Sequence, residues 1–243
     1  PHGTAMMTGS SFNLWNPNFG SPYAYVDSER VVAHLSAKLA SSRRQKRSPY
    51  GGIDFGAGQT MVDRPRIAFR KISRSDDSRT TIACLLPAGI PATEAAQVVV
   101  RGTSDVEAEA YLLGVLSSIP FDWAARKWVE SNFNFFVMKP LPVPRYLADS
   151  TLVRRVVQIS GRLAAVDGRY KEWAEAVGVE VGTANTEPTK TELLAELDAL
   201  VSLLYGLTPE QVEHVFATFH RGGNYAARLE RVLAYYEQWK DAA

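Results

Sequence analysis

The side chains best suited to chemistry in this 243-residue chain are arginines, and they come in clusters. Arg66 and Arg70 flank an apolar strand pattern, with Lys71 next in line, and Arg74 and Arg79 bracket the turn cluster SRSDDS. Arg43, Arg44, Lys46 and Arg47 form a second basic run. From Arg43 to Arg74 nine Lys or Arg face two acids, Asp54 and Asp63, whereas from Glu187 onward nine acids face five Lys or Arg. The net charge of +1 therefore hides a basic half and an acidic half. That distribution suits a surface that binds a polyanion, although a solvated basic loop would look the same. Arginine adds geometry to charge, because its planar fork can bond a guanine edge or a phosphate bidentately. On an extended strand Arg66 and Arg70 would share a face about 13 Å apart.

Catalytic patterns are weaker. Asn16-Pro17-Asn18-Phe19 has the outline of a turn that could grip an exocyclic amine and stack a base, but no apolar strand precedes it and an Asn-Pro break explains it. Asp54-Phe55-Gly56-Ala57-Gly58 looks like a glycine-rich cofactor loop, yet it is followed by a strand pattern where a helix is needed. His2, His34, His214 and His220 lack metal-ligand spacing, and Cys84 is the only cysteine. His220 stands beside Arg221, where a phosphate contact could form, but the favoured reading is an ordinary loop residue. The chain is thus not expected to be an enzyme by itself. Cys84, in an apolar run, reads as a core residue of a protein in a reducing cytosol. No run of 18 apolar residues is present, so no membrane segment is expected. The initial Pro1 suggests a processed chain or a fragment.

These residues need elements to hold them. Residues 1–28 read as irregular structure with short strands. Glu29–Leu39 has a short helical stripe (Val31, Val32, Leu35, Leu39), and SSRRQKRSPYGG after it reads as a loop. Met61–Ile72 and Arg79–Leu86 read as an antiparallel hairpin, Ile67 and Phe69 facing inward and Arg66 and Arg70 outward; Val98–Val100 adds a third strand. Ser104 and Glu107 form a capping box for a helix to about Ser117. Pro120 should stop it, with a second helix over Phe121–Ser131 and an extended segment over Phe133–Leu141 leading to Pro140, Pro142 and Pro144. Trp128, Phe133, Phe135 and Phe136 could stack bases, but core packing is their expected role. Ser150–Val179 reads as helical and Gly182–Pro188 as a loop. Capping patterns at Thr189/Glu192 and Thr208-Pro209 should open two further helices, and a last one carries Leu229, Val232, Leu233, Tyr236 and Trp239 on one stripe. The expected fold class is α+β: a mixed α/β domain with a largely antiparallel sheet over residues 1–148, then a helical domain over 149–243.

Several segments resemble one family. Ser11–Pro17 (SFNLWNP) and Tyr23–Asp27 (YAYVD), the hairpin from Arg66-Ile67-Ala68-Phe69-Arg70 through Thr80 to Pro87, the stretch Leu112–Pro144 (LLGVLSSIPFDWAARKWVESNFNFFVMKPLPVP), and Leu203–Leu207 with Glu213–Phe216 together resemble the target-recognition region of type IIG-like adenine-specific DNA methyltransferases. Such modules serve restriction–modification and phage defence, and the Leu112–Pro144 piece is also similar to type I specificity subunits. The resemblance implies a cytoplasmic module that binds double-stranded DNA. Arg43, Arg44, Lys46, Arg47, Arg66, Arg70, Lys71, Arg74 and Arg79 are its candidate contacts. It implies no cofactor in this chain, with S-adenosylmethionine bound by a methyltransferase domain in cis or trans that would precede Pro1. The alternative is a helical interaction module or separate specificity subunit docking on a methyltransferase.

Overall fold

A computed structural model describes residues 3–45, 48, 53, 55–102, 105–220 and 222–242. The fold is α+β, as expected, with two small antiparallel sheets and about half of its described residues in helices. Strands β1 (Thr4–Met6) and β2 (Ala24–Val26) pair with each other. Strands β3 (Arg66–Arg70), β4 (Ala83–Leu86) and β5 (Ala96–Val99) form the second sheet in the order β4-β3-β5, with Ile67 opposite both Leu85 and Val99. The described helices are α1 (Ser28–Arg43), α2 (Val106–Ser117), α3 (Ile119–Ala125), α4 (Phe135–Met138), α5 (Thr151–Ala164), α6 (Lys171–Val177), α7 (Glu187–Leu204), α8 (Pro209–Thr218) and α9 (Ala226–Trp239).

Alternation in β3 sends Ile67 and Phe69 into the main core, against α2 and Phe133. Both faces of the strand are covered, however. Ala68 points the other way into a second cluster made by Met7, Phe12, Cys84, Leu86 and Ala96. The main core runs unbroken across residue 148: Tyr111, Leu113 and Leu116 of α2 pack with Leu152, Val156 and Ile159 of α5 and with Leu197 and Leu200 of α7. The α9 stripe is spent on this packing as well, since Leu229, Leu233 and Tyr236 lie against Val212, Val215 and Phe216.

Local chemistry moved several boundaries. The hairpin strands are shorter than the pattern predicts. Thr60 and Asp63 form a capping box that coils Met61–Asp63 into a 3-10 turn, and the Thr80 and Thr81 amides bond Asp122 instead of a strand. Helix α2 ends at Ser117 as expected, but Pro120 lies in the first turn of α3 rather than before it, with Ser118 capping α3 through the Phe121 amide, and α3 stops at Ala125. Phe133–Leu141 is not a strand: extended pairing ends at the Ile72–Asn132 bridge and the Phe133–Lys71 hydrogen bond, after which the Asn134 side chain caps the single turn α4. The Ser150–Val179 helix breaks at Ala165, and a 3-10 turn at Gly168–Tyr170 leads into α6. Helix α7 begins before Thr189, with Thr186 at the N-cap position, its hydroxyl bonded to that of Thr189 rather than to an amide, and Pro188 in the first turn. Ser104 lies outside the described residues, and Asp105 caps α2 through the Ala108 amide. At α8 the expected capping Thr208 and first-position Pro209 are observed, and Gln211 completes a reciprocal capping box.

Candidate nucleic-acid interface

The hairpin loop between β3 and β4 is anchored by one carboxylate. Asp122 of α3 is fully buried. Its oxygens accept the Thr80 amide at 3.1 and 3.2 Å and the Thr81 amide at 3.1 Å. The same carboxylate pairs with Arg79 at 2.7 Å and Arg126 at 3.7 Å. A buried carboxylate needs several donors to offset lost hydration, and here two backbone amides and two guanidinium groups supply them. Arg126 then donates to the Phe219 carbonyl at 2.6 Å and lies 4.1 Å from the Phe219 ring centroid. Arg79 reaches the Ser117 and Ser118 carbonyls at 2.6 and 3.2 Å. His220 Nε2 meets the Asp76 carbonyl at 3.2 Å. The base of the loop is therefore bolted to α3 and to the end of α8, while the tip, Arg74 to Ser78, is exposed.

The candidate arginines divide by environment, and here the outward strand face of the sequence reading needs correcting. Arg66 and Arg70 do share a face, but it is covered, by Met7 and Phe12 over Ala68 and Arg70 and by the Ile90 segment at Arg66. Arg66 is 3% exposed and donates to the carbonyls of Ile90 and Arg64. Burial lowers its pKa to about 10, opposed by Glu109 and Asp63, so it stays cationic at neutral pH. Arg70 is half-buried, donates from Nε to the Phe12 carbonyl at 3.1 Å and lies over the Phe19 ring. Burial lowers its pKa too, against the pull of Asp77. Arg79 belongs to the Asp122 anchor, and burial again outweighs its carboxylate neighbours in lowering its pKa. Lys71 pairs with Glu94. Arg74 at the tip is 66% exposed and pairs bidentately with the equally exposed Asp76, Nε to Oδ1 at 3.0 Å and Nη2 to Oδ2 at 3.1 Å. Arg43 and Arg44 end α1 in solvent, Arg43 donating to the Ile53 carbonyl at 2.6 Å. Lys46 and Arg47 lie outside the described residues.

The aromatics divide as well. Phe133 is core and Phe135 packs edge-on against Phe69, as expected. Trp128 and Phe136 are not core residues: they are 72% and 88% exposed and line an apolar groove of about 450 Å³ with Val137, Pro140, Leu141 and Pro142. An Asn cap at 134 followed by adjacent Phe residues was the available signal, because one helical turn sends neighbouring side chains in different directions.

The catalytic look-alikes are ordinary turns. Asn16 Oδ1 accepts the Asn18 amide at 3.0 Å, and Asn13 and Asn16 pair through their backbones across Trp15, whose φ is +60°. Gly56 and Gly58 sit in a loop at positive φ, and Asp54 lies outside the described residues. Among the described residues no cluster of His, Cys, Asp or Glu could hold a metal, and no helix is long and apolar enough to cross a membrane. No family model, curated protein or solved structure matches this chain.

Proposed function

We propose that this chain is a sequence-specific recognition module for double-stranded DNA, serving an adenine DNA methyltransferase of a restriction–modification or phage-defence system. Methyl transfer and S-adenosylmethionine binding belong to a separate methyltransferase domain in cis or trans. The observation that carries the reading is the mounting of the hairpin tip: an exposed arginine, Arg74, on a loop whose base is pinned by the buried Asp122. A reading head must hold its donors in register with base edges, and a pinned loop with a free tip supplies that stiffness. Arg66 and Arg79 act as scaffold, and Arg70, held to the Phe12 carbonyl, is removed from the reading tip. Arg43 and Arg44, with Lys46 and Arg47 in the adjoining basic run, offer sequence-independent attraction to phosphates.

The test is selection of duplexes from a randomised pool at about 50 mM salt, where phosphate contacts are strong. Arg74→Ala should relax preference at one position at a cost of roughly 1–3 kcal/mol, whereas Arg44→Ala should lower affinity evenly and flatten the salt dependence. Absence of duplex binding at low salt defeats the reading.

A second reading draws on the exposed Trp128–Phe136 groove, which is apolar and suits a protein surface such as the methyltransferase domain. On that reading the chain is an interaction module or specificity subunit. Tight binding to that domain, lost in Trp128→Ala, together with indifference to DNA, would favour it.

A further inference from the structure

We infer that the pocket beneath the hairpin loop is a binding site for a phosphate group. The pocket encloses about 570 Å³ between the turn at residues 13–19, the end of β3, the loop Asp77–Arg79 and the first turns of α7. Three cations reach its lining, Arg70, Arg79 and Lys190, against a single carboxylate, Asp77. Their partners decide how much charge is left for a ligand. Arg79 is matched by Asp122. Asp77 receives the Arg74 amide at 3.0 Å. Arg70 commits Nε and Nη2 to the Phe12 carbonyl, leaving Nη1 without a partner among the described residues. Lys190 is half-buried, and its ammonium has no ion pair or hydrogen bond among the described residues. An unpaired ammonium beside an uncommitted guanidinium nitrogen leaves this wall net positive, which favours an anion in the space.

Neutral donors complete the set. Asn13 and Asn16 each turn Oδ1 to a local amide, that of Leu14 at 2.8 Å and that of Asn18 at 3.0 Å. Each side-chain NH₂ is thereby left without a partner among the described residues, and both residues line the pocket. The two residues are held side by side because Trp15 between them adopts φ +60°, a conformation costly for a non-glycine residue and fixed here by burial of its indole. Donors arriving from the turn, the strand and the helix suit a tetrahedral oxyanion better than a flat carboxylate, which one arginine fork would satisfy. A phosphodiester of a nucleic-acid backbone and a free nucleotide present the same group. The inference stands on the pocket and holds whether or not the tip reads DNA.

The experiment titrates inorganic phosphate into the full chain by calorimetry and follows the Asn13 and Asn16 side-chain amides by NMR. Saturable binding is expected, weakened about tenfold in Lys190→Gln, as loss of a charged hydrogen bond implies. Lys190 lies on a half-exposed helix turn, so an unchanged urea midpoint will show that this variant folds. Two arms separate the sources. If the backbone supplies the group, phosphate competes with duplex DNA and Lys190→Gln weakens duplex binding. If a nucleotide supplies it, adenosine monophosphate shifts the same amides while duplex affinity does not depend on Lys190. No saturable phosphate binding, or binding indifferent to both Lys190→Gln and Asn16→Ala, overturns the inference. Phosphate binding through Lys190 with no duplex binding at all would leave it standing and remove the DNA reading instead.

Discussion

Replacing Asp122 with asparagine preserves the shape of the side chain and removes its charge. In the native protein that carboxylate is fully buried, takes both the Thr80 and Thr81 amides, and faces Arg79 at 2.7 Å and Arg126 at 3.7 Å. The asparagine retains one acceptor, so at most part of the amide bonding survives. Both guanidinium groups stay cationic, since arginine does not give up its proton under ordinary conditions. Two buried cations are then left close together, opposed only by the more distant Asp198, which is itself paired with Arg228. Removing one partner of a buried pair typically costs about 3–5 kcal/mol, because the remaining charge is uncompensated. For a protein whose total stability is of order 5–15 kcal/mol, that is a large share. The loss should be localised as well as large. Urea unfolding gives the total, and hydrogen exchange at the Thr80 and Thr81 amides gives the location. Arg79→Ala, alone and combined with Asp122→Asn, closes a double-mutant cycle, and coupling of about 1–3 kcal/mol is expected for groups in one network. A loss below about 1 kcal/mol with both amides still protected would refute the idea that this carboxylate pins the hairpin.

Glu109, buried between Arg101 and Trp173, has its pKa raised to about 7 from an ordinary 4.5, chiefly by desolvation, with Arg101 and the Trp173 hydrogen bond opposing. The folded state thus favours the protonated form, so this stabilisation is complete below about pH 4.5 and disappears as pH rises through about 7. The difference in unfolding free energy between the native protein and Glu109→Gln should change by roughly 3 kcal/mol across that window, and a difference independent of pH would contradict the assignment. Gly114 lets α2 approach α5: a Cβ there would overlap Ser160 Oγ and stand 2.9 Å from Val156 Cγ1. Gly114→Ala should cost about 1–3 kcal/mol by overpacking, seen as a lower urea midpoint at unchanged slope. The Cys84 thiol is buried and burial pushes its pKa up, so a thiol reagent should label it only as fast as the native sheet opens. Rapid labelling of the folded protein would show the second face of the sheet to be open.

Much of the scaffold is legible from sequence because it depends on neighbours. Period-two alternation identifies Ile67 and Phe69 as inward-facing, Thr208-Pro209 announces α8, and the Leu stripe of α7 marks a buried face. Where sequence reading misses, a side chain distant in sequence has taken over the backbone or covered a surface. The return strand is shortened because the Thr80 and Thr81 amides find Asp122, 42 and 41 residues on. Pro120 fits at the start of α3 because the first amides of a helix have no intrahelical partner to lose. Alternation correctly predicts that Arg66 and Arg70 share a face, but it is silent on what lies over that face. The cover is Phe12 at Arg70, bonded across 58 residues, and the Ile90 carbonyl at Arg66, and it takes both arginines off an open strand face. Which charges face solvent depends on such long-range packing, as does the meeting of Asn13, Asn16, Arg70 and Lys190 around one pocket. The sequence alone determined the class of the fold and the kinds of side chain on hand. The tertiary structure decided which of them are free to meet a ligand, because solvent exposure is a property of the whole packed chain and not of any local pattern.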